Sequence, residues 1–362
     1  MSFFKKLLAA VMIAAFLLLS AACVSTPSAS AGAPEEASTL TRYRTSFIGV
    51  FDTLTTVIGY AEDEETFNEY SAFIKDKLTF YHRLFNTYDA FEGVVNLKVV
   101  NETAGSEPVK VDPEIIALLK QSLRANELSG GNVNVAFGAV LKIWHEYRET
   151  GINAPERASV PERSDLEAAA LHTDIRDIVI DEEASTVYFR DPDLRLDVGS
   201  GAKGYATEQA ALQVEAMGLR SAVISVGGNI RTIGRRPDSD TPWRIGIQNP
   251  DKTVENQVIE ILAVEDMSVV TSGVYERYYE VDGVRYHHLI DPETLFPEET
   301  FDAVTIVTPS SALADSFTTA LFNMDLEDGM ALIESLENAE AMWLTGDERR
   351  MTDGFDRHIA KD

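Results

Sequence analysis

An α+β fold, with helices packed on largely antiparallel sheets, is what this sequence predicts. Three observations carry that expectation. Helical periodicity gathers in the first half of the chain and short strand signals in the second. Those strand signals follow one another without alternating helices, which disfavours a doubly wound parallel sheet. The composition, 45% hydrophobic and 25% charged over 362 residues, is that of an ordinary globular chain able to bury a core. Cys23 is the only cysteine, so no intrachain disulfide can staple the fold.

The first residues have another logic. Lys5 and Lys6 precede an apolar run from Leu7 to Leu19, the size of a signal-peptide core and too short for a typical spanning helix. Ser20-Ala21-Ala22-Cys23 resembles the lipobox of bacterial lipoproteins, with serine where leucine is usual. That resemblance implies lipidation of Cys23 and anchoring on the outer side of the cell membrane. The alternative is a plain secretory leader cut near Ala29-Ser30-Ala31. Val24 to Thr41 is rich in Ser, Ala and Pro without periodicity and reads as a flexible tether. Fully extended, it would reach roughly 60 Å. The expected organisation is therefore a signal peptide over 1–22, an anchor and tether over 23–42, and one folded domain over 43–362. The net charge of −28 argues against nucleic acid as a partner.

Within the folded part, "TSFIGVFDTLTTVIGYA" reads as strand. Phe67, Tyr70, Ile74, Leu78, Tyr81, Phe85 and Tyr88 recur at spacings of three and four, one face of a helix. Most of that stripe is core, while Tyr88, at its end, is free for another task. Asp112-Pro113 is a cap followed by proline at the first helical position, so a helix runs to about Leu128 before Gly130-Gly131. "NVAFGAVLKIWHEY" is another helix, ending before Gly151. Residues 151–170 are loop and helix, and 174–190 a strand pair. A helix from Ala202 to Met217 stops at Gly218. Then come the strands "SAVISVGGN", "WRIGIQN", "VIEILAV", "SVVTSG", "YYEVDG", "YHHLIDP" and "FDAVTIVTP", a helix from Ala312 to about Asn323, and a closing strand "AMWLTG".

Gly199-Ser-Gly201-Ala-Lys-Gly204 fits the G-x-G-x-x-G dinucleotide pattern. The context is wrong for a Rossmann unit, since "AVISVGGN" ends without an acidic residue and more strands follow. The Walker A pattern is not met either. Glycines that open a helix still let backbone N–H groups approach an anion, and Lys203 adds a positive charge. A phosphate cradle and a tight strand-to-helix turn both remain open on this stretch alone.

Two later stretches add chemistry. His287 and His288 precede Asp291-Pro292, and strand alternation lets only one of the two face any given side. Asp315 and Thr319 lie four apart on a predicted helix and share a face. Both offer oxygen, the donor that Mg²⁺ prefers. A buried helix with a partnered aspartate is the competing reading.

Taken together, "LFNTYD", "GNVNVAFGAVLKIW", "DVGSGAKGYA", "SVGGNIRTIG", "TSGVYERYY", "HLIDP" and "ADSFTTAL" resemble the ApbE family, in register from about Phe47 to Thr345. The resemblance implies a T-fold-like α+β domain. It also implies Mg²⁺-dependent transfer of FMN from FAD to a Ser or Thr hydroxyl of a partner protein, with AMP released. Carried over by motif, Asp315, Thr319 and the Ala202 carbonyl would hold the metal. His288 would be the base. Tyr88, Asp197, Lys203, Gly204, Gly228 and Ser272 would line the FAD site. The expected acceptor is an electron-transfer subunit. Asn229 and Thr294-Leu295 depart from the family pattern. Asp315-Ser-Phe-Thr318-Thr-Ala320 partly resembles the acceptor motif itself but ends on Leu321, and is read as a metal helix. Two rival readings stand: hydrolysis of FAD to FMN and AMP, and flavin binding without turnover.

Overall fold

The structure, a computed structural model, describes residues 40–361. Cys23, the leader and nearly all of the tether lie outside those residues. The first strand, β1 (Thr41–Val50), begins where the tether was expected to end, and the expected single strand is in fact a hairpin with β2 (Thr53–Ala61). The break falls at Phe51 and Asp52, both at positive φ (49° and 53°). That is a two-residue turn without the usual Asn or Gly, so no turn signal marked it.

Helix α1 (Glu64–Leu84) starts on Asp63, whose carboxylate accepts the Thr66 N–H, and ends with His82 and Arg83 in its last turn. It buries Phe67, Ile74, Leu78 and Tyr81 as the spacing predicts, and Tyr88 lies beyond its end. A short helix, α2 (Leu97–Thr103), and strand β3 (Val109–Lys110) follow, then α3 (Pro113–Leu128), capped by Asp112 as expected. Helix α4 (Gly138–Asn153) runs through Gly151 instead of stopping before it. A Cβ at Gly151 would lie 2.5 Å from the Tyr279 ring, so this glycine seats the helix on a strand and is no terminator.

Next come α5 (Arg163–Ala170), the strand pair β4 (Ile178–Asp181) and β5 (Thr186–Phe189), and α6 (Ala202–Ala216). The remaining elements are β6 (Ala222–Val226), β7 (Asn229–Ile233), β8 (Trp243–Gln248), β9 (Val258–Val264), β10 (Ser268–Gly273), β11 (Tyr278–Val281), β12 (Val284–His287) and β13 (Ala303–Thr308). Helices α7 (Ser311–Phe322) and α8 (Leu326–Glu334) and strands β14 (Glu340–Thr345) and β15 (Glu348–Met351) complete the chain. The sequence reading had not separated α2, α8, β7 or β15.

The frame is one eight-stranded antiparallel sheet, ordered β1-β2-β6-β7-β10-β13-β14-β15. Side chains alternate across it. Val57, Ile224, Val226 and Leu219 join the helical side with α1, α3 and α6, and Val270, Ile306 and Trp343 join α7 and α8. Tyr60, Val223, Val269, Val307 and Met342 face the opposite way, under the β8–β9 hairpin. A separate apolar cluster binds α4 and α5 to the β11–β12 hairpin through Trp144, Leu166 and Tyr279. Among the described residues, no helix is long and apolar enough to cross a membrane.

Candidate active site

The site forms where α6 and α7 cross at the turn end of the sheet. Asp315 is 4% exposed and sits on α7. One carboxylate oxygen accepts the Gly204 N–H at 2.7 Å, and the other lies 3.2 Å from the Lys203 ammonium. Gly204 makes the crossing possible, because a Cβ there would meet the Ser311 carbonyl oxygen at 2.3 Å and the Asp315 Cβ at 2.4 Å. The glycine motif is thus first a helix-packing device, and the Gly204 N–H is committed to Asp315. Thr319 lies one turn after Asp315 and is half-buried. Ala202 opens α6 and is 5% exposed. The Ser272 hydroxyl, on β10, donates to Thr318 Oγ1 (2.9 Å), which donates to the Asp315 carbonyl (2.9 Å). Thr318 is fully buried, so it offers no surface for modification.

Gly227 and Gly228 make the two-residue turn between β6 and β7, with φ of 53° and 92°. A side chain at Gly227 would strike Thr53, whereas one at Gly228 would only touch the Thr271 carbonyl oxygen, at 4.0 Å. Asn229, just after it, is 2% exposed and its Nδ2 has no hydrogen-bond partner.

Asp197 lies on the segment that enters α6. Asn101 fixes that segment, donating to the Leu196 carbonyl (3.0 Å) and accepting the Leu196 N–H (2.7 Å). Asp197 then accepts the Gly199 N–H at 2.8 Å and the Tyr88 hydroxyl at 3.2 Å. Tyr88 is held by an Asn86 turn, whose side chain accepts the N–H groups of Tyr88 and Asp89, both at 2.7 Å. Its ring stacks on His145 at 4.3 Å between centroids, yet Tyr88 is 46% exposed. Enclosure of the phenol end and the Asp197 carboxylate both push the Tyr88 pKa up. Arg148 donates to His145 Nδ1 at 2.9 Å, which leaves that ring neutral with its proton on Nε2.

Strand parity separates the two neighbouring histidines. His287 is 6% exposed and structural: its Nδ1 accepts the Leu289 N–H (3.2 Å), and its Nε2 donates to the Glu298 carbonyl (2.7 Å). His288 faces the other way, and its Nδ1 is buried without a partner. Burial, then the charges of Arg277, Arg148, His287 and Lys203, hold its pKa well below the usual imidazole range. His288 is therefore a neutral imidazole with a free lone pair, the form a general base needs. Asp291 caps the turn after it, accepting the N–H groups of Glu293 (2.8 Å) and Thr294 (3.2 Å).

The sequence-predicted residues form two groups, with Gly228 apart in the β6–β7 turn and His288 just after β12. Lys203, Gly204, Ser272, Asp315, Thr319 and Ala202 share the helix crossing, and Tyr88 and Asp197 share a hydrogen bond. Asn101, His145, Arg148 and Arg277 were missed. His145 and Arg148 carried only an ordinary helical spacing, and Asn101 sits on a helix too short to show one. A further cluster lies elsewhere: ligand atoms of His172, Asp191 and Asp193 are within 4.8 Å of one another. His172 Nδ1 and Asp191 Oδ2 are 2.7 Å apart, so these two already partner each other. None of the predicted metal ligands belongs to it.

Oxygen donors beside a lysine, and an imidazole under cationic influence, on an antiparallel α+β frame are suited to phosphate chemistry. The chain belongs to the ApbE family, whose model matches residues 51–343. It is 36% identical over 266 residues to the FAD:protein FMN transferase of Treponema pallidum, covering 70% of this chain and 71% of that one. The FAD:protein FMN transferase of Klebsiella pneumoniae is 32% identical over 247 residues, covering 68% and 73%. Among solved structures, the ApbE protein of Thermotoga maritima superposes with a TM-score of 0.75 at 27% identity, over 89% of this chain and all of that one. The flavin transferase ApbE of Vibrio cholerae gives 0.73 at 26%, over 88% and 100%.

Proposed function

We propose that this chain transfers FMN from FAD to a Ser or Thr hydroxyl of a partner protein. The names of its relatives support that reading. The observation that carries it is His288, a neutral imidazole whose Nδ1 is buried and unpartnered. In the step, the acceptor oxygen attacks the FMN phosphorus and its proton goes to His288. The bond from that phosphorus to the bridging oxygen breaks, and AMP leaves with the electron pair. Binding or hydrolysis alone would use the same nucleotide contacts. A neutral imidazole at His288 suits proton removal from a nucleophile.

The donor set fits Mg²⁺: the Asp315 carboxylate, the Thr319 hydroxyl and the Ala202 carbonyl are all hard oxygens. Asp315 and Thr319 share one helix, and Ala202 opens the helix that crosses it. When bound, the ion supplies positive charge to the transferring phosphoryl group. Lys203, already on Asp315, adds more. Tyr88, Asp197, Gly228 and Ser272 would position the dinucleotide, with Gly204 holding the helices that carry the metal ligands. One observation favours hydrolysis as a second reading: Tyr88 is 46% exposed, so its side of the site stands open to water. The lipobox-like Cys23 supports an anchor on the outer face of the membrane, from which the tether would let the domain reach acceptors such as electron-transfer subunits.

The test is to incubate the purified chain with FAD and Mg²⁺, with and without an acceptor domain carrying a target threonine, and to weigh the acceptor. A mass gain of one FMN with AMP released is the expected result. Free FMN with an unmodified acceptor would replace this reading with hydrolysis. Bound, uncleaved FAD would leave only a flavin carrier.

A further inference from the structure

Several arginines of this acidic chain, Arg190, Arg195 and Arg220 among them, bond backbone carbonyls instead of carboxylates, and two further ones, Arg148 and Arg277, come together at one place. The sequence holds 59 Asp and Glu against 31 Lys and Arg. Arg176, Arg231, Arg235, Arg236, Arg349, Arg350 and Arg357 each have a carboxylate partner. Arg148 and Arg277 form no ion pair among the described residues. Their recorded bonds are to uncharged atoms: Arg148 to His145 Nδ1 at 2.9 Å, and Arg277 to the Phe51 carbonyl at 3.4 Å.

The fold brings both to His288. In the β11–β12 ladder, Tyr278 faces His287, so continuing the register sets Arg277 opposite His288 at the hairpin's open end. Arg148 comes from α4, which Gly151 seats directly on Tyr279 of the same hairpin. Residues 148 and 151 are three apart and share a helix face. The two guanidinium charges act on each other and, with Lys203, on His288. Two mutually repelling cations beside His288, acted on by Glu149 and Asp197 but with no carboxylate at ion-pair distance among the described residues, are suited to receive an anion.

We infer that Arg148 and Arg277 clamp the pyrophosphate of the bound dinucleotide, between the Lys203–Asp315 crossing and His288. This rests on the FAD reading above and names the residues that recognise its charged bridge. The Phe51 carbonyl aims Arg277, and His145, packed on Tyr88, aims Arg148. The clamp is specific for the phosphates, so it contributes nothing to the flavin ring.

The experiment is an equilibrium titration of the full chain by flavin fluorescence, in EDTA to hold turnover, with FAD and with riboflavin. Arg148→Gln and Arg277→Gln should each raise the Kd for FAD about tenfold and leave that for riboflavin within about twofold, as loss of a charged phosphate contact implies. Inorganic pyrophosphate should displace FAD from the unaltered chain and fail to do so from the double variant. Unchanged FAD affinity in both variants would overturn the clamp. So would equal weakening of FAD and riboflavin, the mark of a structural role. Arg277 is exposed, so its variant keeps the fold and the question stays answerable. The titration needs no acceptor, so it stands whether FAD is transferred or hydrolysed. Failure of the unaltered chain to bind FAD would instead remove the parent reading.

Discussion

His287 and His288 differ by one position and by nearly everything else. Both ring nitrogens of His287 are used to tie a strand end to the Glu298 loop, and Nδ1 of His288 has no partner. His288→Ala should keep FAD affinity and slow transfer by about 10²–10⁴-fold, the span of general-base catalysis. Equilibrium titration beside single-turnover kinetics checks this, and unchanged transfer would remove His288 from the step. The pH dependence has a definite sign. A base must be neutral to accept a proton, and burial with neighbouring cations depresses the His288 pKa. The acid limb of kcat/KM should therefore lie below about pH 6.5, the ordinary imidazole value. A limb at or above that pH would contradict the depressed imidazole. The sequence made His288 visible through the His-x-x-Asp-Pro spacing. Arg148 was not visible, because its place depends on α4 seating at Gly151 against Tyr279, a contact distant in sequence.

The crossing of α6 on α7 is set by glycine. Gly204→Ala would press a methyl group against a carbonyl oxygen and the Asp315 Cβ, with no flexible atom to yield. The expected cost is about 1–3 kcal/mol, the range for overpacked sites, read by denaturant unfolding, together with loss of metal-dependent activity. Gly201→Ala is the control. Its Cβ would meet only the Ser316 side chain, the hydroxyl at 2.8 Å, a group held by a single 3.3 Å bond to the Ala312 carbonyl. Equal destabilisation by both would show that the crossing is not set at Gly204. Elements with strong local signals were legible here: the Asp112-Pro113 cap and the α1 stripe are where the sequence puts them. The β1–β2 break was not, since Phe51 at positive φ carries no compositional mark. Gly151 misled for the opposite reason: glycine reads as a stop, and here it is a contact.

At the scale of the molecule, the site lies between regions with separate cores. The α6–α7 crossing belongs to the main sheet, whereas α4 and the β11–β12 hairpin share their own apolar cluster. The segment after the hairpin ties the two together, because Leu289 joins the α7 core and the His287 ring meets Phe322. The α+β class was legible from the order of helix and strand signals. The pairing of eight strands in one sheet was not, because strand order depends on long-range contacts. The charge of −28 also acts on the whole. Most ion pairs are exposed and worth little singly, so net repulsion outweighs them. Raising NaCl from 20 to 300 mM, roughly a Debye length of 20 Å falling to 6 Å, should lift the Tm by about 2–4 °C. A falling Tm in a salt series would mean that the ion pairs dominate.

The hairpin that carries the two histidines turns through just two residues, Asp282 and Gly283, both at positive φ. That turn counts out the chain like an escapement. Replacing Asp282 with Asn keeps the count, and the hairpin should tolerate it. Inserting one residue there would exchange the reagent for the brace, presenting His287 to the nucleotide and sending His288 into the core. This stretch should therefore accept changes of residue and reject changes of length.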